Sequence, residues 1–211
     1  MEPDDTKDAA TFVVWLQAGS HYADLRIPPD RPVMTAKGFA QLDRNARAFL
    51  GRQEGFAGRL HWRGSRARWE RRIDFSPLAG PPDEGRLTRS GTRLIEHGVH
   101  RAYREDWWLM GMTGPSMVLV DTPRHMLLRV GHHFIFVDDR RPQAPQKGAL
   151  PDAAATADGQ ACAALLDCEI SYGHVDAGQF RILRSTLPWR EGTWLSQRFP
   201  SARRRARVRS S

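Results

Sequence analysis

Short runs of alternating apolar and polar residues dominate the chain, and glycine- and proline-rich segments separate them. Residues 12–17 and 21–27 flank Ala18-Gly19-Ser20, which predicts a β-hairpin that ends at Pro28. Residues 35–53 carry apolar side chains at helical spacing and predict one amphipathic helix. Further runs predict strands at residues 56–62, 67–75, 85–89, 92–97, 100–109 and 116–121, followed by a second hairpin through residue 137.

The hairpin pattern occurs twice in the chain. Aligning Gly19 with Gly131 places His21 on His133, and the correspondence continues at an offset of about 111 residues. The segment from Trp69 to the proline at 77 has the same length as the segment from Phe180 to the proline at 188. A helical piece at residues 159–166 follows the second hairpin, as the helix at 35–53 follows the first. The pattern predicts two related halves, residues 11–113 and 114–200, which form either one barrel or two packed sheet units.

Strands separated by turns every 8–12 residues favour an antiparallel barrel or sandwich. The prediction is therefore a mainly β protein with one or two short helices. A single β-barrel-type domain is expected over residues 11–200, preceded by a disordered lead at 1–10 and followed by a disordered basic tail at 201–211.

Several short motifs occur in a fixed order through the first half. They are Trp15-Leu16-Gln17, Tyr22-Ala23-Asp24-Leu25-Arg26-Ile27-Pro28, Phe56-Ala57-Gly58, Trp69 with Ile73-Asp74-Phe75, Asp83-Glu84-Gly85, Ile95-Glu96-His97-Gly98 and Tyr103-Arg104-Glu105-Asp106-Trp107. Together they resemble the fungal Hri proteins and their bacterial relatives. That resemblance covers most of the first half and the hairpin near Gly131. It implies a calycin-like antiparallel barrel, related to the lipocalins, and it supplies no substrate because the family has no established activity.

The net charge of +8 is concentrated in the tail SARRRARVRSS. A terminal run of like charge is usually disordered, and its functional alternative is contact with nucleic acid. Two cysteines make neither a disulfide framework nor a four-thiolate zinc site. The start of the chain lacks the pattern of a signal peptide, and no apolar run is long enough to span a bilayer. A cytoplasmic protein without membrane contact is expected.

The two hairpin histidines are candidate ligand-binding residues. Strand alternation puts His21 on a face with Ala23, Leu25 and Ile27, and it puts His133 on a similar aliphatic face. Such faces are expected to point inward, where an imidazole could orient a small ligand. The alternative is a hydrogen-bonded core histidine or a residue at the end of a strand. The other face of the first hairpin carries Asp24 and Arg26, which are expected to form a surface ion pair.

A second group of candidates lies on the run that contains Tyr103, Glu105 and Trp107, which share one strand face. An indole wall would raise the pKa of a neighbouring carboxyl group and suit it to proton transfer. Glu96 and Asp74 are the further carboxylates that could divide the acid and base roles. The alternative is that the tryptophans belong to the core and the charges are solvated. Trp15 and Trp69 complete the predicted pocket.

Signatures of other chemistry are missing from the sequence. It contains neither a phosphate-binding G-x-x-x-x-G-K-[ST] loop nor a dinucleotide-binding G-x-G-x-x-G motif. The histidine spacings do not suit chelation from a regular strand, so no metal and no cofactor are expected.

Three functions remain open. The first is lipocalin-like binding of a small, largely apolar ligand in a tryptophan-lined pocket, by a monomer or a homodimer. The second is a cofactor-independent isomerase, cyclase or hydro-lyase that uses Glu96, Glu105, Tyr103 and Asp74. The third is an interaction protein that uses the basic tail, with nucleic acid as a possible partner.

Overall fold

A first antiparallel sheet contains seven strands, each paired with the next along the chain. The computed structural model describes residues 8–110 and 114–195. The strands of this sheet are β1 (Phe12–Ala18), β2 (His21–Ile27), β3 (Glu54–Arg63), β4 (Arg66–Asp74), β5 (Asp83–Ser90), β6 (Arg93–Gly98) and β7 (Arg104–Trp108). The sheet curls into a half-barrel, so that Trp15 of β1 and Trp107 of β7 come within 5.4 Å between ring centroids.

A second antiparallel sheet has the spatial order β12-β11-β10-β9-β8. Its strands are β8 (Ser116–Asp121), β9 (His125–Val130), β10 (His133–Asp139), β11 (Cys168–Asp176) and β12 (Gln179–Ser185). The mainly β prediction is confirmed, and of the two arrangements left open the structure has two packed sheets. The run predicted at 100–109 yields only the short β7, because the backbone before it turns and Gly98 donates its N–H to the carbonyl of Tyr103.

Three α-helices are present in the described residues, whereas one or two were predicted. They are α1 (Arg44–Gly51), α2 (Leu150–Thr156) and α3 (Gly159–Leu166), and two 3₁₀ turns occur at Phe39–Gln41 and Pro188–Arg190. Helix α3 is confirmed. Helix α1 is much shorter than the predicted 35–53, because Asp43 accepts a hydrogen bond from the N–H of Ala46 and starts the helix there.

The main core lies between the two sheets and beneath the helices. From the first sheet it takes side chains of β1 to β4, including Leu16, Leu25 and Ile73. From the second it takes side chains such as Met126 and Ile135. Each such buried side chain stabilises the fold by about 1.5–3 kcal/mol. The space between the sheets is therefore filled, and the open space of the molecule lies elsewhere.

Strand alternation in β2 decides where that space is. Ala23, Leu25 and Ile27 point into the core between the sheets. Tyr22 and its same-face neighbours Asp24 and Arg26 point to the concave side of the half-barrel. A ligand cavity was expected on the aliphatic face that includes His21, and the structure has it on the opposite, polar face.

Arg141 holds the two sheets together. Its guanidinium has no exposed surface and donates to the carbonyl oxygens of Phe75 (2.7 Å) and Asp74 (2.8 Å) at the end of β4. It also bonds to Asp139 at the end of β10, at 2.8 Å. These contacts fix the end of β4, and with it the floor of the cavity.

The predicted lead and tail lie almost wholly outside the described residues. Of the lead, only residues 8–10 are described, and they are exposed without regular structure. The tail at 201–211, with the nucleic-acid alternative that depends on it, is outside the described ranges.

Candidate functional site

The concave side of the half-barrel contains a cavity of about 720 Å³ that is open at one side. Strands β1 to β7 all contribute to its wall, and the proline-rich connection between β4 and β5 lies at its mouth together with the segment near Lys147. Since all seven strands come from one sheet, the residues that face the cavity follow the alternation of each strand. The volume falls within the range typical of small-molecule sites.

Three tryptophans form the apolar part of the wall. Trp15 packs edge-to-face against Trp107, and its ring centroid lies 6.3 Å from that of Trp69. Trp69 is buried within a small cluster that includes Leu60 and Leu87. Edge-to-face pairs of this kind hold the rings in fixed orientations. The wall is therefore preformed.

Glu96 of β6 is the most perturbed carboxyl group in the cavity. The hydroxyl of Tyr103 donates to its Oε1 at 2.6 Å, and the indole N–H of Trp107 donates to its Oε2 at 3.2 Å. Only 5% of the residue is exposed, and this burial raises the pKa of Glu96 to about 7 although the two donors oppose the shift. Burial, followed by the contact with Glu96, also raises the pKa of Tyr103. Glu96 can thus hold or release a proton near neutral pH.

Arg26 is clamped by two carboxylates. It donates to Asp24 at 3.0 Å and makes a two-bond contact with Glu105, at 2.8 and 3.1 Å. Burial raises the pKa of Asp24 to about 6, against the opposing effect of Arg26. Glu105 is the direct cross-strand neighbour of Glu96 in the pairing of β6 with β7. Of this neighbouring pair, Glu105 is therefore bound to a guanidinium group, and Glu96 is bound to neutral donors.

Arg71 makes a second clamp on the cavity floor. It bonds to Asp83 at 2.6 Å and to Asp74 at 3.2 Å, and its guanidinium lies over the ring of Phe56 at 3.6 Å from the centroid. Burial raises the pKa of Asp74, with Arg71 opposing the shift. Arg26 and Arg71 are therefore each held between two carboxylates.

Two polar atoms of the lining have no partner among the described residues. They are the hydroxyl of Tyr22 and the indole nitrogen of Trp15, and both are buried. A buried polar group without a hydrogen bond costs about 1–3 kcal/mol. Burial also raises the pKa of Tyr22, so its hydroxyl stays protonated.

Seven of the predicted site residues meet at this cavity. They are Trp15, Trp69, Asp74, Glu96, Tyr103, Glu105 and Trp107. His21 and His133 do not line it. His21 lies at the start of β2 and bonds to Asp121 at 2.9 Å. His133 bonds to the hydroxyl of Tyr172 at 2.7 Å on the second sheet. The positions of both histidines therefore agree with the alternative to ligand binding, which was a hydrogen-bonded histidine or a residue at the end of a strand.

The sequence interpretation missed Tyr22, Phe56, Arg71 and Asp83, and it assigned Asp24 and Arg26 to the surface. Asp24 is 2% exposed and belongs to the cavity floor. Polar residues on one strand face usually indicate solvent, and here the curl of the sheet encloses that face. The usable signal was Trp15, which lies opposite Asp24 in the pairing of β1 with β2 and puts a large apolar ring on the same side.

The described residues contain no group of three or more His, Cys, Asp or Glu side chains placed to hold a metal ion. Within those same residues, no helix has both the length and the apolar character needed to cross a membrane.

Comparisons with family models, with curated proteins and with solved structures found no match to this chain. The fold and the site therefore define the protein only as a mainly β molecule with a charged, tryptophan-lined cavity. The resemblance to the fungal Hri proteins stays a prediction from its motifs.

Proposed function

We propose that this protein binds a small molecule in the cavity of the half-barrel, in the manner of a lipocalin. The observation that carries the proposal is the concave space of about 720 Å³ bounded by three tryptophans and a bonded polar floor. Large preformed pockets of mixed apolar and polar lining are the usual sites of ligand binding.

The arrangement of the floor supports binding because its charges are already oriented. Arg26 is held between Asp24 and Glu105, and Arg71 between Asp74 and Asp83. A ligand that enters does not have to order these side chains, so less binding free energy is lost to their entropy.

The ligand inferred from the lining has two parts. An apolar or aromatic body suits the faces of Trp15, Trp69 and Trp107, in agreement with the expected largely apolar ligand. A polar end suits the floor, where Tyr22 and Trp15 offer unpaired hydrogen-bonding groups. An amphiphilic molecule satisfies both parts better than a pure hydrocarbon does.

Titration with the neutral apolar dye N-phenyl-1-naphthylamine tests the proposal. The Trp107→Ala variant removes one wall of the cavity, and the affinity for the dye should fall about ten-fold or more, which corresponds to 1.4 kcal/mol. Trp62→Ala is the matched control, because Trp62 lies on β3 with 51% of its surface exposed. Equal affinity in the two variants would place the dye outside the cavity and refute the assignment.

A second candidate function is proton-transfer catalysis, an isomerase, cyclase or hydro-lyase without a cofactor. The observation that favours it is the pair Glu96 and Glu105, whose environments differ: one carboxyl group has a pKa of about 7, and the other is bound to Arg26. Neighbouring carboxyl groups of this kind can serve as acid and as ionised base. In such a reaction Glu96 would donate a proton to the substrate, Glu105 would accept a proton from it, and Tyr103 would hold the carboxyl group of Glu96 in place.

Turnover of a copurified small molecule is the test of this second function. Glu105→Gln and Glu96→Gln should each stop turnover while binding persists. Unchanged turnover in either variant would remove that carboxyl group from the mechanism.

We also infer that the two sheets share a common calycin-like plan. In each, a hairpin with a glycine turn (Gly19, Gly131) leads through helical segments to a second hairpin. In each, the fourth strand of this unit has a bulge that faces a glycine of the third: Arg72 of β4 is the extra residue opposite Gly58 of β3, and Leu183 of β12 is the extra residue opposite Gly173 of β11. A shared irregularity at matching positions supports a duplicated unit, because bulges are retained as features of a family fold.

A further inference from the structure

The cavity has the opposite charge balance to the whole molecule. The chain carries a net charge of +8, whereas nine carboxyl groups and six arginine or lysine side chains line the cavity. The carboxyl groups are those of Asp24, Glu54, Glu70, Asp74, Asp83, Glu84, Glu96, Glu105 and Asp139. The basic side chains are those of Arg26, Arg68, Arg71, Arg72, Arg101 and Lys147.

We propose that the cavity selects an organic cation, an ammonium group attached to an aromatic or apolar body, with Glu96 as its counter-ion. This inference rests on the proposed binding function and names the chemical class of its ligand.

Among the described residues, Glu96 is the buried carboxyl group of the cavity lining that has no basic partner. Arg26 is used by Asp24 and Glu105, and Arg71 is used by Asp74 and Asp83. Among the described residues, Glu96 bonds only to the neutral donors Tyr103 and Trp107. A buried carboxylate with neutral neighbours is stabilised by any cation that reaches it.

The tryptophans suit the same ligand. Trp107 bonds to Glu96 through its N–H, and its ring packs against that of Trp15. Trp69 lies on the other side of Trp15. A cation near the face of an indole is attracted to the negative face of the ring, most strongly at desolvated sites. Aromatic walls beside a carboxylate therefore favour an ammonium group over an alcohol of the same shape.

Tyr22 supplies an independent indication of a polar ligand group. Its hydroxyl is buried, lacks a hydrogen-bond partner among the described residues, and belongs to a side chain that lines the cavity. The charged groups that act on it are Arg71, Asp83, Asp24 and Asp74, an acidic surplus. The hydroxyl oxygen can accept a hydrogen bond from an N–H group of the ligand.

Binding of a cation should depend on pH in a defined direction. The groups that act on Glu96 are Tyr103 just before β7, Glu105 and Trp107 on β7, and Asp83 on β5, and burial gives Glu96 a pKa of about 7. The carboxylate attracts the cation only when it is ionised. Affinity for an ammonium ligand should therefore rise between pH 6 and pH 8, and the affinity of a neutral analogue should not.

Three probes of matched shape test the proposal: 2-phenylethylammonium, 2-phenylethanol and 3-phenylpropionate. Isothermal titration at pH 8 should give an affinity for the ammonium compound at least about ten-fold above that for the alcohol. The carboxylate compound should bind more weakly than both, because it meets the acidic floor.

Two variants with the same change of charge locate the effect. Glu96→Gln should lower the affinity for 2-phenylethylammonium about ten-fold at pH 8 and leave that for 2-phenylethanol within two-fold. Asp30→Asn is the control, because the carboxyl group of Asp30 is 59% exposed, is bonded to Arg52 and lies outside the lining of the cavity. It should change either affinity by less than about two-fold, since solvent screens exposed charges.

The possible results separate this inference from the proposed function. If the alcohol or the carboxylate compound binds as tightly as the ammonium compound, the selection of a cation is refuted while binding in the cavity stands. Equal loss in Glu96→Gln and Asp30→Asn refutes Glu96 as the counter-ion. Absence of binding by all three probes contradicts both the cation inference and the binding function.

Discussion

At the scale of single residues, the environment of Glu96 is the feature with the clearest consequence. Burial of the carboxyl group raises its pKa from 4.5 to about 7, although the hydrogen bonds donated by Tyr103 and Trp107 oppose the shift. Below pH 4.5 the group is protonated in the folded and unfolded chains alike, and it costs nothing. Above pH 7 it is ionised in both, and the folded chain bears the whole cost of a buried charge. Stability contributed by this site is therefore lost as pH rises from about 4.5 to 7.

The Glu96→Gln variant tests that dependence. Its amide can accept from Trp107 through oxygen and donate to Tyr103 through nitrogen, so the local bonds persist. The free energy of unfolding of the variant, relative to that of the unaltered protein, should increase by about 1–3 kcal/mol between pH 5 and pH 8. Urea denaturation at the two pH values measures it. A constant difference would show that Glu96 ionises normally. Glu70→Gln, at an exposed position, should show no such trend.

The sequence predicted seven cavity residues because alternation along a strand is reliable once the strand is known. Trp15, Glu96 and Trp107 were found in that way. The sequence prediction failed for Asp24 and Arg26, because the polar face of β2 looks like a face exposed to solvent. Only the structure shows that β7 curls over this face and brings Glu105 to Arg26. His21 lies on the opposite, aliphatic face of β2, which packs against the second sheet, so it does not line the cavity.

At the scale of elements, the bulged strands depend on two glycines. A Cβ atom at Gly58 would collide with the carbonyl oxygen of Glu70, and one at Gly173 would collide with that of Arg181. Both oxygens belong to the neighbouring strand, so neither can move without breaking the ladder of hydrogen bonds.

Gly58→Ala and Gly173→Ala should therefore each destabilise the protein strongly, by about 3 kcal/mol or more. Thermal unfolding followed by circular dichroism measures the loss. Gly38→Ala is the control, because an added Cβ meets nothing within 4 Å there. If Gly58→Ala or Gly173→Ala melts at the same temperature as Gly38→Ala, the bulge at that position tolerates a side chain. That bulge would then no longer support a common plan of the two sheets.

The helices show where sequence patterns are weakest. Phe39 and Leu42 stand at helical spacing before α1, yet the chain reaches α1 only at Arg44, because the side chain of Asp43 caps the N–H of Ala46. Helix α2 was missed because its proline and alanines resemble a linker. Its Leu150 and Ala154 are buried in the main core, so tertiary packing supplies the stability that the local pattern lacks.

At the scale of the whole molecule, Arg141 links the two sheets. Removal of its guanidinium leaves Asp139 and the carbonyl oxygens of Asp74 and Phe75 without their donor. Breaking a buried charge pair from one side usually costs about 3–5 kcal/mol. Arg141→Gln should lower the free energy of unfolding by this amount in urea denaturation. Arg63→Gln, at an exposed position of β3, should change it by less than about 0.5 kcal/mol. Similar values in both variants would mean that the sheets are held together without Arg141.

The packing of the whole chain also explains the limit of the sequence prediction. A mainly β protein of two packed sheets follows from the strand pattern and its repeat. The position of the cavity does not follow from that pattern, because the two sheets differ on the faces that point away from each other. That face of the second sheet carries a buried apolar cluster that includes Phe134 and Ile182, whereas the concave face of the first sheet is polar and open.

The most direct test of the binding site follows the indole N–H signals of the seven tryptophans by two-dimensional NMR. The protein is titrated with 2-phenylethylammonium and, separately, with 2-phenylethanol. Binding in the cavity predicts that the signals of Trp15, Trp69 and Trp107 shift with at least one of the two probes, while those of the exposed Trp62 and Trp108 stay in place. Shifts confined to Trp62 and Trp108, or no shift with either probe, would contradict the account.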